Sequence, residues 1–276
     1  MVKILHISDP HFGTEQAPVV EALVRLATAQ QPDVLVLSGD ITQRAKTAQF
    51  TAARAFCDRL AIAHRISLPG NHDIPLLNIA MRLLAPYQRY QQAFGHALEP
   101  VLDLPEVCVL AVKTTRRWRH VNGEISAQQV ARVAARLRLA RPAQLRIVML
   151  HQPIHVMQAS DAHDQVIGWR PAVNAWREAG ADMVLGGHIH MPFFARLGEE
   201  TGVGVVGMPG MWCVQAGTAT SSRVRSEAPN SVNLLRYGTS TTKPGPVNCC
   251  TLERWDYAAN KGEFVCHQTT VLPLRR

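Results

Sequence analysis

Five times in this sequence a short apolar run ends in a polar segment built from Gly, Asp, Asn and His. The runs are residues 2–7, 34–37, 65–68, 145–150 and 182–185. The segments that follow them are Asp9-Pro10-His11, Gly39-Asp40, Gly70-Asn71-His72-Asp73, His151 and Gly187-His188-Ile189-His190. Short apolar runs of this kind read as strands, and the unbroken one at 34–37 suits a strand buried on both faces. Helical patterns separate them. Residues 15–30 carry a face of Val19, Val20, Leu23 and Leu26. Residues 46–60 read as a helix, and 76–94 as one interrupted at Pro86. Residues 107–112 are a further strand. Ser126 and Gln129 form a capping box that opens a helix through Val130, Val133 and Leu137, and residues 171–179 end before Gly180. Strand and helix alternate, so the class is α/β. In such folds functional residues gather at the carboxyl ends of strands, where all five polar segments lie.

From about residue 191 the pattern changes. Strand-like stretches at 193–197, 203–206, 211–214, 232–237, 247–255 and 264–271 are separated by Gly, Pro, Ser and Thr, with a turn-rich loop at 238–246. This predicts antiparallel sheet that completes the same domain, so that 1–276 forms one unit.

Composition removes several alternatives. Hydrophobic residues make up 47% and charged residues 18%, which is globular rather than disordered. No apolar run approaches the ~18 residues of a membrane span. The start of the chain lacks the apolar core and cleavage site of a signal peptide, so a cytoplasmic location is expected. The six cysteines show no CxxC pair and read as thiols in a reducing compartment; Cys249 and Cys250 should face opposite sides of a strand. The net charge of +8 favours anionic partners. Its densest cluster, Arg116, Arg117, Arg119 and His120 around Trp118, could touch nucleic acid or a phosphate tail, but it lacks the long basic face of a nucleic-acid binder and reads first as a solvated basic loop.

The residue types in the five segments suit metal-assisted attack on a phosphate ester. Such an ester is an anion that resists nucleophiles. Paired cations neutralise its oxygens and acidify water. Imidazole and carboxylate hold Mn, Fe or Zn, and a carboxylate can bridge two ions. Asn adds a neutral oxygen that leaves the site positive. Any one segment alone has a structural reading: a turn, or two histidines on one face of a strand. All five in this order do not.

The assembled pattern resembles the calcineurin-like metallophosphoesterase family over residues 3–192. The resemblance implies a four-layer α-β-β-α sandwich with mixed sheets and a dinuclear metal site at one edge. It also implies that Asp9, His11 and His190 bind one ion, that Asn71, His151 and His188 bind the other, and that Asp40 bridges them. His72 would contact the scissile phosphate and act as general acid, with Asp73 behind it orienting the imidazole. Chain length and the Gly-Asn-His-Asp form look like the bacterial class III cyclic nucleotide phosphodiesterases. The expected partner is a small phosphorylated substrate, a 3′,5′-cyclic nucleotide first, with no membrane. A nuclease acting on nucleic acid, a phosphomonoesterase, a nucleotide-type pyrophosphatase and a non-catalytic scaffold are the alternatives. Among the other histidines, His6 and His64 read as packed, and His96, His120 and His267 as surface residues. The loop 152–169 leaves the metal edge, so His155 or His163 there could reach substrate, or the loop could simply be solvated.

Overall fold

The computed structural model describes residues 1–197, 210–225, 228–238 and 249–274. Its strands form two six-stranded sheets. The first runs, in spatial order, β12 (Glu263–Pro273), β11 (Cys249–Ala258), β10 (Ser231–Tyr237), β1 (Val2–Ile7), β2 (Val34–Leu37) and β3 (His64–Ser67). The second runs β4 (Val101–Asp103), β5 (Val107–Ala111), β6 (Leu145–Met149), β7 (Met183–Gly186), β9 (Met211–Gln215) and β8 (Phe193–Leu197).

Side-chain alternation turns these sheets into layers. In β1, Ile4 faces an inter-sheet core with Val34, Val36, Val109, Ile147 and Leu185, whereas Leu5 and Ile7 face outward. The outward side of the first sheet is covered by α1 (Ala17–Gln30) and α2 (Thr47–Arg59), through Val19, Leu23, Phe50 and Phe56. The outward side of the second is covered by α5 (Ala127–Arg138) and α6 (Trp169–Glu178), through Val130, Val133, Val173 and Trp176. The order of layers is therefore α-β-β-α. Ser126 and Gln129 do cap α5 reciprocally. Pro86 does divide its helical stretch, into α3 (Ile79–Leu84) and α4 (Gln88–Phe94).

Strands β1, β2 and β3 are parallel, and their register places Ile7 beside Leu37 and Leu37 beside Ser67. Strands β5, β6 and β7 are likewise parallel, with Met149 level with Leu185. The carboxyl ends thus form a level edge in each sheet.

The last third of the chain joins both sheets. β10, β11 and β12 extend the first sheet antiparallel, as expected. β9 departs from that expectation: it pairs parallel with β7, and with β8 antiparallel to it the second sheet is mixed. The strand expected at 203–206 and most of the loop at 238–246 lie outside the described residues. The short β4 was not legible in the sequence. Cys250 is buried and Cys249 exposed, as alternation requires. His6 is packed, but His64 is exposed because it opens β3, an edge strand. His96, His120 and His267 are exposed. The basic cluster is partly tied down: Arg116 bonds Gln129 Oε1, Arg117 the Leu83 carbonyl and Arg119 Glu124. Among the described residues no helix is long and apolar enough to cross a membrane.

Candidate metal centre

The five polar segments meet across the level edge of the two sheets. Adjacent loops are tied by their backbones: Asp9 N–H donates to the Gly39 carbonyl, His11 N–H to that of Asp40, and Gly187 N–H to that of His151. The sheets approach so closely here that a Cβ on Gly187 would overlap Ser8 Oγ and Asp9 Oδ2. One on Gly70 would overlap the Asp40 backbone and carboxylate. Asp9, His11, Asp40, His188 and His190 all hold positive φ, at 51°, 45°, 46°, 76° and 56°. Such backbone is costly for a residue with a Cβ and persists where surroundings over-determine it, commonly at functional sites.

Two groups of donor atoms result. In the first, His190 Nε2 lies 3.4 Å from Asp9 Oδ1 and 3.0 Å from His11 Nε2. In the second, His151 Nε2 lies 3.2 Å from Asn71 Oδ1 and 3.3 Å from His188 Nδ1. Asp40 stands between them, with Oδ2 3.7 Å from His11 Nε2 and Oδ1 3.3 Å from His151 Nε2. All seven residues expected as ligands are brought together.

The chemistry of these atoms fits cations. His151 Nδ1–H donates to the Ser38 carbonyl at 2.9 Å, and His190 Nδ1–H to the Arg223 carbonyl at 2.6 Å. A carbonyl only accepts, so in the neutral rings Nε2 bears a lone pair. Those lone pairs face carboxylate oxygens and the ring nitrogens of His188 and His11, and Asp9 Oδ1 is buried without a hydrogen bond. Either protons or cations must sit between such acceptors. Without a cation the cluster draws protons. Burial opposes ionisation of His151, but Asp40, Asp9 and the Ser38 carbonyl outweigh it and push the pKa up to about 9. His190 is also raised, against burial, by Asp9 and the Arg223 carbonyl. His11 goes the other way, to about 3, because burial there exceeds the pull of Asp40 and Asp9. Asp9 and Asp40 stay well below the usual carboxylate range: burial would raise them, and the surrounding histidines overcome it.

His72 lies beside this cluster, with Nε2 4.0 Å from Asp40 Oδ2 and its side chain 20% exposed. It opens onto a shallow cleft lined by Gln43, Arg44, Asn71, Ile74, Leu76 and His120. The expected role of Asp73 is corrected by its hydrogen bonds. Its carboxylate accepts from the backbone N–H groups of Ile41, Thr42 and Gly70 and from Thr42 Oγ1, at 2.8–3.0 Å. These bonds consume its acceptor positions, so it braces the loop carrying Asp40. Burial and the nearby Asp40 charge raise its pKa to about 7, against the pull of those N–H groups. The His72 imidazole is oriented instead by the Gln43 carbonyl, 3.0 Å from Nδ1.

The loop 152–169 meets the cluster through a residue other than its two histidines. The His155 ring packs edge-on against Phe193, and His163 is largely exposed beside Asp164. It is Asp164, at the end of a 3-10 turn over Ala159–Asp164, that reaches the cluster, 3.4 Å from His188 Nε2. This carboxylate can hold the ring so that Nδ1 faces His151. Asp164, Arg223 and Gln43 were missed because no local motif marks them.

Residues 2–192 match the sequence profile of the calcineurin-like phosphoesterases. A probable cyclic nucleotide phosphodiesterase of Rhodococcus erythropolis is 24% identical over 200 residues, 68% of this chain. The match spans 64% of that relative's length. Among solved structures, a purple acid phosphatase from yellow lupin (Lupinus luteus) seeds superposes with a TM-score of 0.67 at 10% identity, covering 99% of this chain and 53% of the other. A dimetal phosphatase from Danio rerio superposes with a TM-score of 0.64 at 11% identity, covering 99% of both chains. The fold is also that of GAP50, the anchor in the inner membrane complex of Plasmodium, with a TM-score of 0.59 at 11% identity over 100% of this chain and 89% of that one. With two thirds of its length inside the profile and all five polar segments within it, the chain belongs to the calcineurin-like phosphoesterase family.

Proposed function

We propose that this chain is a metal-dependent phosphoric ester hydrolase with a dinuclear centre, that it prefers diesters, and that 3′,5′-cyclic nucleotides are among its substrates. Asp9, His11 and His190 hold one ion, Asn71, His151 and His188 the other, and Asp40 serves both. The observation that carries this reading is the placement of Asp40, whose two oxygens face opposite donor groups. Imidazole, carboxylate and amide oxygen together suit Mn, Fe or Zn. Ions so held supply Lewis acidity toward a phosphoryl oxygen and make water acidic enough to attack near neutral pH.

The protein's own residues account for the rest. The Gln43 carbonyl fixes the proton on His72 Nδ1 and aims Nε2 outward. To protonate a leaving oxygen, His72 must therefore carry both protons. The cleft beside it is lined by apolar Ile74 and Leu76 and by polar Arg44, a mixed rim against which the second substituent of a diester can lie. The Rhodococcus relative, named for cyclic nucleotides, supports the same choice.

The test is hydrolysis of bis-p-nitrophenyl phosphate beside p-nitrophenyl phosphate, with chelator-stripped protein and then with added Mn²⁺. Metal-dependent turnover that favours the diester, followed by cleavage of cyclic AMP, is expected. Preference for the monoester would make the chain a phosphatase, and inert cyclic nucleotides would remove that substrate class.

A further inference from the structure

The segment after β9 wraps over the metal edge. Thr218 Oγ1 donates to the Asp9 carbonyl at 2.6 Å, and Thr220 Oγ1 to the Pro10 carbonyl at 3.0 Å. Arg223 follows, with its main chain held at both ends: its N–H donates to Ser221 Oγ and its carbonyl accepts from His190 Nδ1. The backbone position of Arg223 is thereby locked to the cluster. Its side chain reaches across to the first sheet. Nη1 donates to His72 Nε2 and to Gln43 Oε1, both at 3.2 Å.

These partners are neutral acceptors. Among the described residues no carboxylate is within ion-pair reach of Arg223. Arg225, two residues on, contrasts with it: it grips Asp161 through Nη1 at 3.0 and 2.9 Å and Gln158 through Nη2. A guanidinium is always charged and forks toward the oxygens of a phosphate. Arg223 carries such a charge beside His72, at the exposed rim of the candidate metal cluster, with no carboxylate among the described residues paired to it.

We propose that Arg223 is a substrate-binding residue of this site, taking the non-bridging oxygens of the phosphoryl group that lies against His72. This rests on the phosphoesterase reading above. When phosphate arrives, the neutral contact to His72 Nε2 is exchanged for a charge-assisted one. That exchange also frees the Nε2 lone pair, which must take a proton from solvent before His72 can protonate the leaving oxygen. A purely structural arginine would leave anion binding untouched.

The experiment is calorimetric titration of inorganic phosphate into Mn²⁺-loaded protein, with metal content measured on each sample. Arg223→Gln, Arg223→Lys and the remote control Arg59→Gln are compared with the wild type; Arg59 pairs with Glu21 on the helical face. Phosphate affinity should fall on the order of tenfold to a hundredfold in Arg223→Gln, the range for one charge-assisted hydrogen bond. It should recover in part in Arg223→Lys and stay unchanged in the control. Metal content should be normal throughout, because the carbonyl of residue 223 supports His190. Unchanged phosphate affinity in Arg223→Gln would overturn the proposal, and so would a loss that tracks missing metal. If the wild type binds phosphate through Arg223 yet hydrolyses neither nitrophenyl ester, the proposed reaction fails and this inference stands.

Discussion

The two sheets contribute to the centre in different ways. Of the seven donor residues, the first sheet supplies both carboxylates, Asp9 and Asp40, with Asn71 and one imidazole, His11, and it also carries His72 beside them. Its loops are held locally: backbone bonds run between the β1 and β2 loops, and Asp73 clamps residues 41, 42 and 70. His11 Nδ1 has no hydrogen-bond partner among the described residues. The second sheet supplies three imidazoles and no carboxylate among the seven. Each of its rings is aimed by a group outside its own loop: His151 by the Ser38 carbonyl, His188 by Asp164, His190 by the Arg223 carbonyl. The first sheet thus sets the negative charge of the centre through local geometry. The second sets the direction of its imidazoles, each of which takes a partner from another loop.

The comparison can be broken most sharply at Asp40, which both halves share. Asp40→Ala should lose ions from both groups and lower the diester rate by at least about a hundredfold, as loss of a central electrostatic group does. Full occupancy by elemental analysis would refute the shared role. Next comes the local brace. Asp73→Ala leaves three buried backbone N–H groups without an acceptor and should cost about 3–5 kcal/mol in denaturant unfolding. If the loss appeared in rate alone, with stability intact, Asp73 would act on His72 after all. Asp164→Asn tests the other mode of support. It should weaken one ion by roughly tenfold to a hundredfold, the usual effect of removing an orienting partner. The ion held by Asp9, His11 and His190 should remain, and equal weakening of both would erase the distinction between the halves. The last effect is that of pH. His151, raised to about 9, is protonated near neutrality when no ion is bound. An ion must displace that proton, so Mn²⁺ affinity should rise as pH goes from 7 to 9, by up to about tenfold per unit. Calorimetry in buffers of different ionisation enthalpy should show proton release at pH 7, and its absence would mean the ring is already neutral.

Much of the centre is legible in the amino-acid sequence. The seven donor residues each sit just past an apolar run, and an apolar run is a local signal of a strand. Asp73 shows where that legibility stops. Its position next to His72 invited a pairing between them, yet in the structure its carboxylate turns toward backbone N–H groups of another loop. Adjacency along the chain said nothing about which way the side chain would point. His64 teaches the same lesson at an edge strand, and β9, parallel to β7, teaches it for topology.

By itself the sequence determined the alternation of strands and helices, the kind of donor atoms available and their place at strand ends, because all of these follow from local periodicity and residue chemistry. Only the tertiary structure decided which partners aim them. The Gln43 carbonyl meets His72 from 29 residues away, and the Arg223 carbonyl meets His190 from 33. The folding of separate loops onto one edge makes those contacts, and no spacing within a motif encodes them.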